Sequence, residues 1–320
     1  MNPNFDRVAS ETLQNHSKEI FDNITTNNAL LYLLKKRDNI KVVSGGRTFT
    51  HPLFYKINTS FKAYPKLGVI DTPIMDDITR AEYSIKNICG SLVISTVEEA
   101  MNSGDKEKLL DLADVVRMTA EESMSEVLGD QVFSTGAGAD DFGGLQYLIN
   151  TTPATQTTVG GIDSSVAANA TWRNQVNLTG TAAFNTGAAG LILMNNMLSA
   201  CTFGRKGPRA VITTKAVYAL YEIGLTANIR YATTELGDAG FQHLAYTTLP
   251  IMFDDNCPAG QMYFVDCDSL WLQVLAKGNL TITPFEYTHN QLSKTALMYI
   301  LGNLTTGSRR TNGLLATITG

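Results

Sequence analysis

Four aspartates, Asp254, Asp255, Asp266 and Asp268, stand close together in the chain. Carboxylates grouped in this way could hold a hard cation such as calcium, and a metal so held could activate water in a hydrolase. Their spacing fits no EF-hand loop, and carboxylates beside turns ordinarily cap backbone amides, which is the simpler reading. Four histidines, His16, His51, His243 and His289, are scattered and form no metal-ligand spacing. Cys89, Cys201, Cys257 and Cys267 contain no CxxC pair and sit in no nucleophile motif, so they read as reduced thiols. The glycines of Gly136-Ala137-Gly138 lead into Asp140 and Asp141, two carboxylates that would repel a phosphate. No catalytic residue, cofactor or metal is therefore assigned, and the chain is not read as an enzyme.

The elements that would carry these residues follow from periodicity and punctuation. Residues 5 to 37 read as two helical pieces, the second capped by Asn27 or Asn28 with Leu30, Leu31, Leu33 and Leu34 as its apolar face. Arg47 to Tyr55 and Ile78 to Ser95 alternate as the two legs of a hairpin, separated by a long turn-rich excursion. Asp105 to Asp130 repeats Leu109, Leu112, Val116, Ala120, Met124 and Val127 at helical spacing, a rod of about 39 Å. Residues 134 to 186 read as irregular. A helix from about 186 to 202, a strand at 210–213 and a helix from 215 to 223 make a small α/β unit. Leu249–Phe253 and Gln261–Val265 flank a turn and read as a hairpin, with further strands at 270–274, 280–286, 297–301 and 314–318. The order predicts an α+β chain without repeats.

A loop as long as the excursion is usually functional or held by something outside its own fold. From residue 41 to 68 the only charged residues are Lys41, Arg47, Lys56, Lys62 and Lys66, five positive and none negative. The long helix is the opposite: eight acids against three bases give it a balance of −5, with Asp111, Asp114, Glu121, Glu122 and Glu126 on the side expected to be exposed. A basic arm and an acidic rod of matching charge predict that the arm of one copy lies across the helix of the next.

Only 17% of the 320 residues are charged, which leaves much of the surface suited to meeting protein. The net charge of −5 argues against a chain that grips nucleic acid through a basic footprint. The N-terminus lacks the apolar region of a secretory signal, and no apolar stretch approaches the roughly 20 residues a membrane requires, so folding in the cytoplasm and no membrane association are expected.

Several stretches together resemble the tailed-bacteriophage major capsid proteins of the Hong Kong 97-type fold. They are Gly144-Leu145-Gln146-Tyr147-Leu148-Ile149, then Gly160-Gly161-Ile162-Asp163 and Trp172-Arg173-Asn174, and near the end Asp254 to Phe264, Gly302-Asn303-Leu304, Arg309-Arg310 and Gly313. The resemblance covers the chain from about residue 25 onward, and it lies in the order of the segments more than in any one of them. It implies an N-terminal arm over 1–40, an extended hairpin loop over 41–88 and a peripheral domain with a spine helix over 89–150. An axial α/β domain would follow over 151–263, with strands over 264–320 returning to the peripheral domain. It also implies hexamers and pentamers that tile an icosahedral shell around double-stranded DNA without sequence-specific binding, located in the virion capsid and assembled in the bacterial host cytoplasm. A portal protein and, since only a short arm precedes the loop, a separate scaffolding protein would be partners. An encapsulin-like nanocompartment shell and a metal-dependent cytoplasmic hydrolase are the alternatives.

Overall fold

Asn28 turns its side-chain oxygen onto the amide of Leu31 at 3.1 Å and so starts helix α1 (Ala29–Lys36), whose Leu30, Leu31, Leu33 and Leu34 are all buried. Lys35 and Lys36 occupy its last turn, where cations complement the helix dipole. The computed structural model describes residues 28–54, 60–66, 68–70, 72, 78–97, 100, 106–156, 158–179, 184, 189–224 and 244–319; for 54 and 106–114 it describes the backbone only. The first expected helical piece and most of the arm lie outside the described residues.

The first sheet is organised by β13 (Ser293–Thr306), a strand of 14 residues. One side of it pairs antiparallel with β4 (Lys86–Ser95) from Ser293↔Ser95 to Gly302↔Lys86, and Gly302 to Thr306 then pairs with β10 (Leu270–Leu275). β1 (Ile40–Val43) runs parallel to β10, and the short β11 (Thr281–Ile282) and β12 (Glu286–Tyr287) also pair with β13. The sequence predicts a strand only over 297–301, whereas the strand runs from 293 to 306 and passes straight through Gly302. Gly302 is instead demanded by close approach: a Cβ there would lie 2.6 Å from the carbonyl oxygen of Gln273 on β10.

The second sheet runs β5-β14-β9-β6-β8-β7, built from β5 (Gln175–Asn177), β6 (Ala210–Thr213), β7 (Leu244–Tyr246), β8 (Leu249–Phe253), β9 (Met262–Val265) and β14 (Gly313–Leu315). The expected hairpin of 249–253 with 261–265 does not form. β6 stands between those strands, parallel to β8 and antiparallel to β9. All four residues of β6 are buried, so it needs a partner on each edge, a long-range demand that local turn signals do not reveal. β14 joins β5 and β9, so the last strand belongs here and not with β13.

Each face of the second sheet meets a separate core. Ala210, Ile212, Tyr263 and Val265 face the core shared with α1, β10 and β13, whereas Val211, Met262 and Phe264 face one filled by helices α4 (Ala189–Cys201) and α5 (Lys215–Gly224). The long helix α2 (Lys106–Val132) lies against β4, and a one-turn helix, α3 (Leu145–Leu148), follows it. Among the described residues no helix is long and apolar enough to cross a membrane.

Candidate assembly interface

The expected hairpin exists, with different limits. β2 (Thr48–Phe54) pairs with β3 (Ile78–Ser84) from Thr48↔Ser84 to Phe54↔Ile78, whereas the second half of the expected return leg is β4 and belongs to the first sheet. The root of this hairpin is built into its own subunit. Phe49, Leu53, Ala81 and Tyr83 are buried, the Tyr83 hydroxyl donates to the Thr306 carbonyl at 3.0 Å, and the Glu82 amide donates to the Gly160 carbonyl at 2.9 Å. His51 stacks on Trp271 with ring centres 4.7 Å apart and bonds the Thr305 hydroxyl at 2.9 Å. Burial, reinforced by Lys41, pushes the His51 pKa down to about 4, so the ring is neutral near pH 7. Burial also raises the Tyr83 phenol.

Beyond the root, the described residues 60–66 and 68–70 carry apolar and basic side chains, while Asp71, Asp76 and Asp77 follow in the sequence. Phe61, Val69 and Ile70 are 86%, 89% and 64% exposed, and Lys62 and Lys66 are exposed between them. Arg47 is exposed just before β2, and Lys56 lies outside the described residues. Lys41 is not on the hairpin: it sits on β1 with its ammonium 4.9 Å from the Trp271 ring centre. The charge run was legible in the sequence, but the change of element at Val43 divides it between two structures.

α2 corrects a second expectation. Glu122 and Glu126 are exposed as predicted, but Glu121 is half-buried, with a side chain only 12% exposed and an ion pair to Arg117 at 3.1 Å. Glu121 lies one helical turn after Arg117, on the side turned inward with Met124 and Leu128, so its charge is matched within its own helix. Asp111 and Asp114 lie in the part of α2 described by backbone alone. Of the apolar repeat, Val116, Ala120, Met124 and Val127 line, with Val115, a cavity of about 310 Å³ against Cys89, Ser91 and Val93 of β4, and Met124 is itself buried there, as is Leu128 beside the repeat. Val115, Val93 and Val127 remain 59%, 52% and 44% exposed there, an apolar groove with Glu122 and Glu126 on the same helix.

Three of the four aspartates that could have formed a metal site, Asp254, Asp266 and Asp268, have structural partners. Asp254 accepts from the Ala29 amide at 3.1 Å and from the Asn28 side chain at 3.3 Å, and so ties α1 to the end of β8. Asp266 caps the turn at Asp268, and Asp268 is shared by Arg37 and Arg209 at 3.3 and 3.2 Å. Burial raises the carboxyls of Asp254 and Asp266. Among the described residues, no group of three or more His, Cys, Asp or Glu side chains is placed to hold a metal. Cys201, Cys257 and Cys267 are buried and their thiols raised, Cys201 to about 12, which suppresses the reactive thiolate.

A hairpin rooted in the first sheet, a long helix across β4 and a second sheet sandwiched by two cores is an architecture found in solved shell proteins. The capsid subunit of cyanophage A-1(L) superposes with a TM-score of 0.72 over 93% of this chain and 94% of its own, at 15% identity. The fold is the Hong Kong 97-type capsid fold. The satellite phage P4 procapsid gives 0.54 over 94% of this chain and 90% of its own, at 12% identity. The SrpI encapsulin of Synechococcus elongatus gives 0.55 over 88% and 85%, also at 12% identity. No protein-family model and no curated protein sequence matches the chain. At such identities the shared property is the capsid fold itself, carried by strand order and not by side chains. That explains why the segments resembling this family in the sequence are individually short.

Proposed function

We propose that this chain is the major coat subunit of a tailed bacteriophage. It would self-associate into hexamers and pentamers that close an icosahedral shell around double-stranded DNA, in company with a scaffolding protein and a portal. The observation that carries this reading is the loop beyond the hairpin root. It is anchored by Tyr83 and His51 on one subunit, yet exposes Phe61, Val69 and Ile70 together with Lys62 and Lys66. The apolar groove between α2 and β4, with the exposed Glu122 and Glu126 on the same helix, has the complementary chemistry, so the loop of one copy would lie in the groove of the next. Each contact is modest, and repetition around a closed shell makes the whole stable.

The occupied aspartates favour a structural role over the hydrolase alternative, since Asp254, Asp266 and Asp268 already serve backbone amides and arginines. The likeness to the SrpI encapsulin supports a second reading, a shell around protein cargo. Expression of the full chain followed by negative-stain imaging tests both. Closed particles are expected, and nuclease-protected DNA inside particles from infected cells separates coat from compartment. A monomer that forms no particle at any concentration, with or without co-expressed scaffold, would overturn the assembly reading.

A further inference from the structure

Among the described residues, β4 pairs with β13 alone, over all 10 of its residues. The ladder continues one step further, where the Thr96 amide donates to the Leu292 carbonyl at 3.0 Å. Bonded pairs alternate along an antiparallel ladder, so Ile88, Gly90, Leu92 and Ile94 turn their amides and carbonyls toward β13, whereas Asn87, Cys89, Ser91 and Val93 turn theirs outward. The far side of β13 agrees: Leu297, opposite Ser91, gives its carbonyl to the Thr283 amide at 2.9 Å. All four outward residues are exposed. Long free edges are normally protected by charge, proline, a bulge or brevity. β1 and β7 are short and β2 contains Pro52, but the four outward residues of β4 are uncharged and its register is unbroken. Consecutive residues from Ile88 to Val93 line the groove beside α2, which is possible only where the groove runs along the edge itself. Gly90 faces α2 with Met298 as its cross-strand neighbour, and a Cβ on Gly90 would meet nothing within 4 Å, so a hole opens between Gly90 and Ala120.

We propose that this edge is a strand-addition site: residues 66–72 of a second copy lie beside β4 as an added strand, hydrogen-bonded to the main chain of Asn87, Cys89, Ser91 and Val93. Strand addition rests on the loop-in-groove reading above and deepens it, because it says what the groove recognises. Main-chain bonds supply the attachment, and the hole over Gly90 takes one apolar side chain of the added strand. The segment is the stretch of loop between Pro65 and Pro73, two residues that cannot donate to a ladder, and it matches Asn87–Val93 in length. Between Lys66 and Asp71 it carries Leu67, Val69 and Ile70, and Val69 and Ile70 have no cover in their own subunit. Lys62 and Lys66 lead into it with charge opposite to that of Glu122 and Glu126 on the helix that forms the other wall.

The test compares hydrogen exchange at single residues in the unassembled full chain and in particles. The amides of Cys89, Ser91 and Val93 are expected to slow by about a hundredfold or more on assembly, while those of Gly90 and Leu92, already bonded to β13, change far less. Ser91→Pro removes one outward amide and leaves the β13 ladder intact, so particle yield should fall about tenfold with the circular dichroism of the subunit unchanged, whereas Ser91→Ala keeps the amide and should assemble as the wild-type chain does. Gly90→Leu fills the hole from within and should block assembly in the same way, which gives a second reading should the proline variant fail to fold. Particles in which Cys89, Ser91 and Val93 exchange as fast as in the free subunit would overturn strand addition and leave the coat reading in place. So would full yield from the folded variants, or a yield lost equally in Ser91→Ala. A chain that forms no particles overturns the coat reading first, and strand addition with it.

Discussion

Tyr83 and Thr306 join the hairpin to the body of the subunit: the phenol of β3 donates to the carbonyl that ends β13, at 3.0 Å, and both residues are buried. The hairpin is thus a lever fixed at its base, not an arm free along its whole length. Tyr83→Phe leaves the Thr306 carbonyl without this donor in an apolar setting, a loss of about 1–2 kcal/mol in urea unfolding. Hydrogen exchange should speed up in β2 and β3 well before β10 and β13. Gly160 sits against the same ring with φ +60°, and a Cβ there would lie 3.0 Å from that of Ala81 and 3.1 Å from the Tyr83 ring, so Gly160→Ala should loosen the same strands.

Arg309 is fully buried without a carboxylate. Its Nε donates to the Leu148 carbonyl at 2.7 Å, and Nη2 reaches the side-chain oxygens of Gln156 and Asn174 at 2.9 and 3.0 Å. Burial pushes its pKa down to about 10, so it still carries its charge near pH 7. The guanidinium clasps the turn before β14 to the segment after α3. Arg309→Met removes these charged donors but also relieves the desolvation of the cation, for a net loss of roughly 2 kcal/mol. Arg309→Lys keeps the buried charge but cannot span three acceptors, and is expected to be the less stable of the two in urea unfolding.

These two residues show what periodicity and charge can reveal and what they cannot. α1, the extent of α2 and β6 were legible because leucine spacing, a long 3.6-residue repeat and a short apolar run are local signals. The role of Arg309 was not legible, since nothing adjacent in sequence announces Gln156 or Asn174. The false hairpin of β8 with β9 has the same cause, because β6 enters between them from some forty residues upstream. Of the residues the sequence proposed for contact, Lys62, Lys66, Glu122 and Glu126 are exposed, but the sequence could not tell that Lys41 belongs to a sheet or that Glu121 is claimed by Arg117.

The loop and groove pairing predicts a charge-reversal pattern. Lys62→Glu with Lys66→Glu should reduce particle formation, followed by light scattering at low salt, while circular dichroism of the subunit stays unchanged. Exposed pairs contribute only about 0.2–1 kcal/mol each, but the loss repeats at every contact of a shell. Adding Glu122→Lys and Glu126→Lys should restore part of the assembly. The difference between variants should shrink as salt rises and the screening length falls below about 10 Å. Undiminished assembly of the lysine variant would remove this pairing while leaving the fold untouched.

His51 should write a pH dependence into the subunit. Unfolded, the imidazole binds its proton near pH 6.5; folded, burial and then Lys41 push that down to about 4. Between these values the unfolded chain holds more protons, so stability rises with pH through this window and levels off above it. The amplitude is about 3 kcal/mol for an isolated group. The other groups at the ring are the Thr305 hydroxyl, the Gln273 amide, Trp271 and the edge of Tyr83, and Lys206, Asp266 and Asp268 line the same cavity of about 400 Å³ as His51 and Lys41. Asp254 and Asp266 act in the opposite sense: their folded pKa values are raised by burial, so they favour the folded chain as pH falls toward the carboxylate range. The total curve is therefore a difference, and His51→Gln isolates one side of it. That variant can still face the Thr305 hydroxyl, and its stability, followed by urea unfolding from pH 4 to 7, should lose the rise between 4 and 6.5. A variant that keeps the full slope would assign the titration to another group.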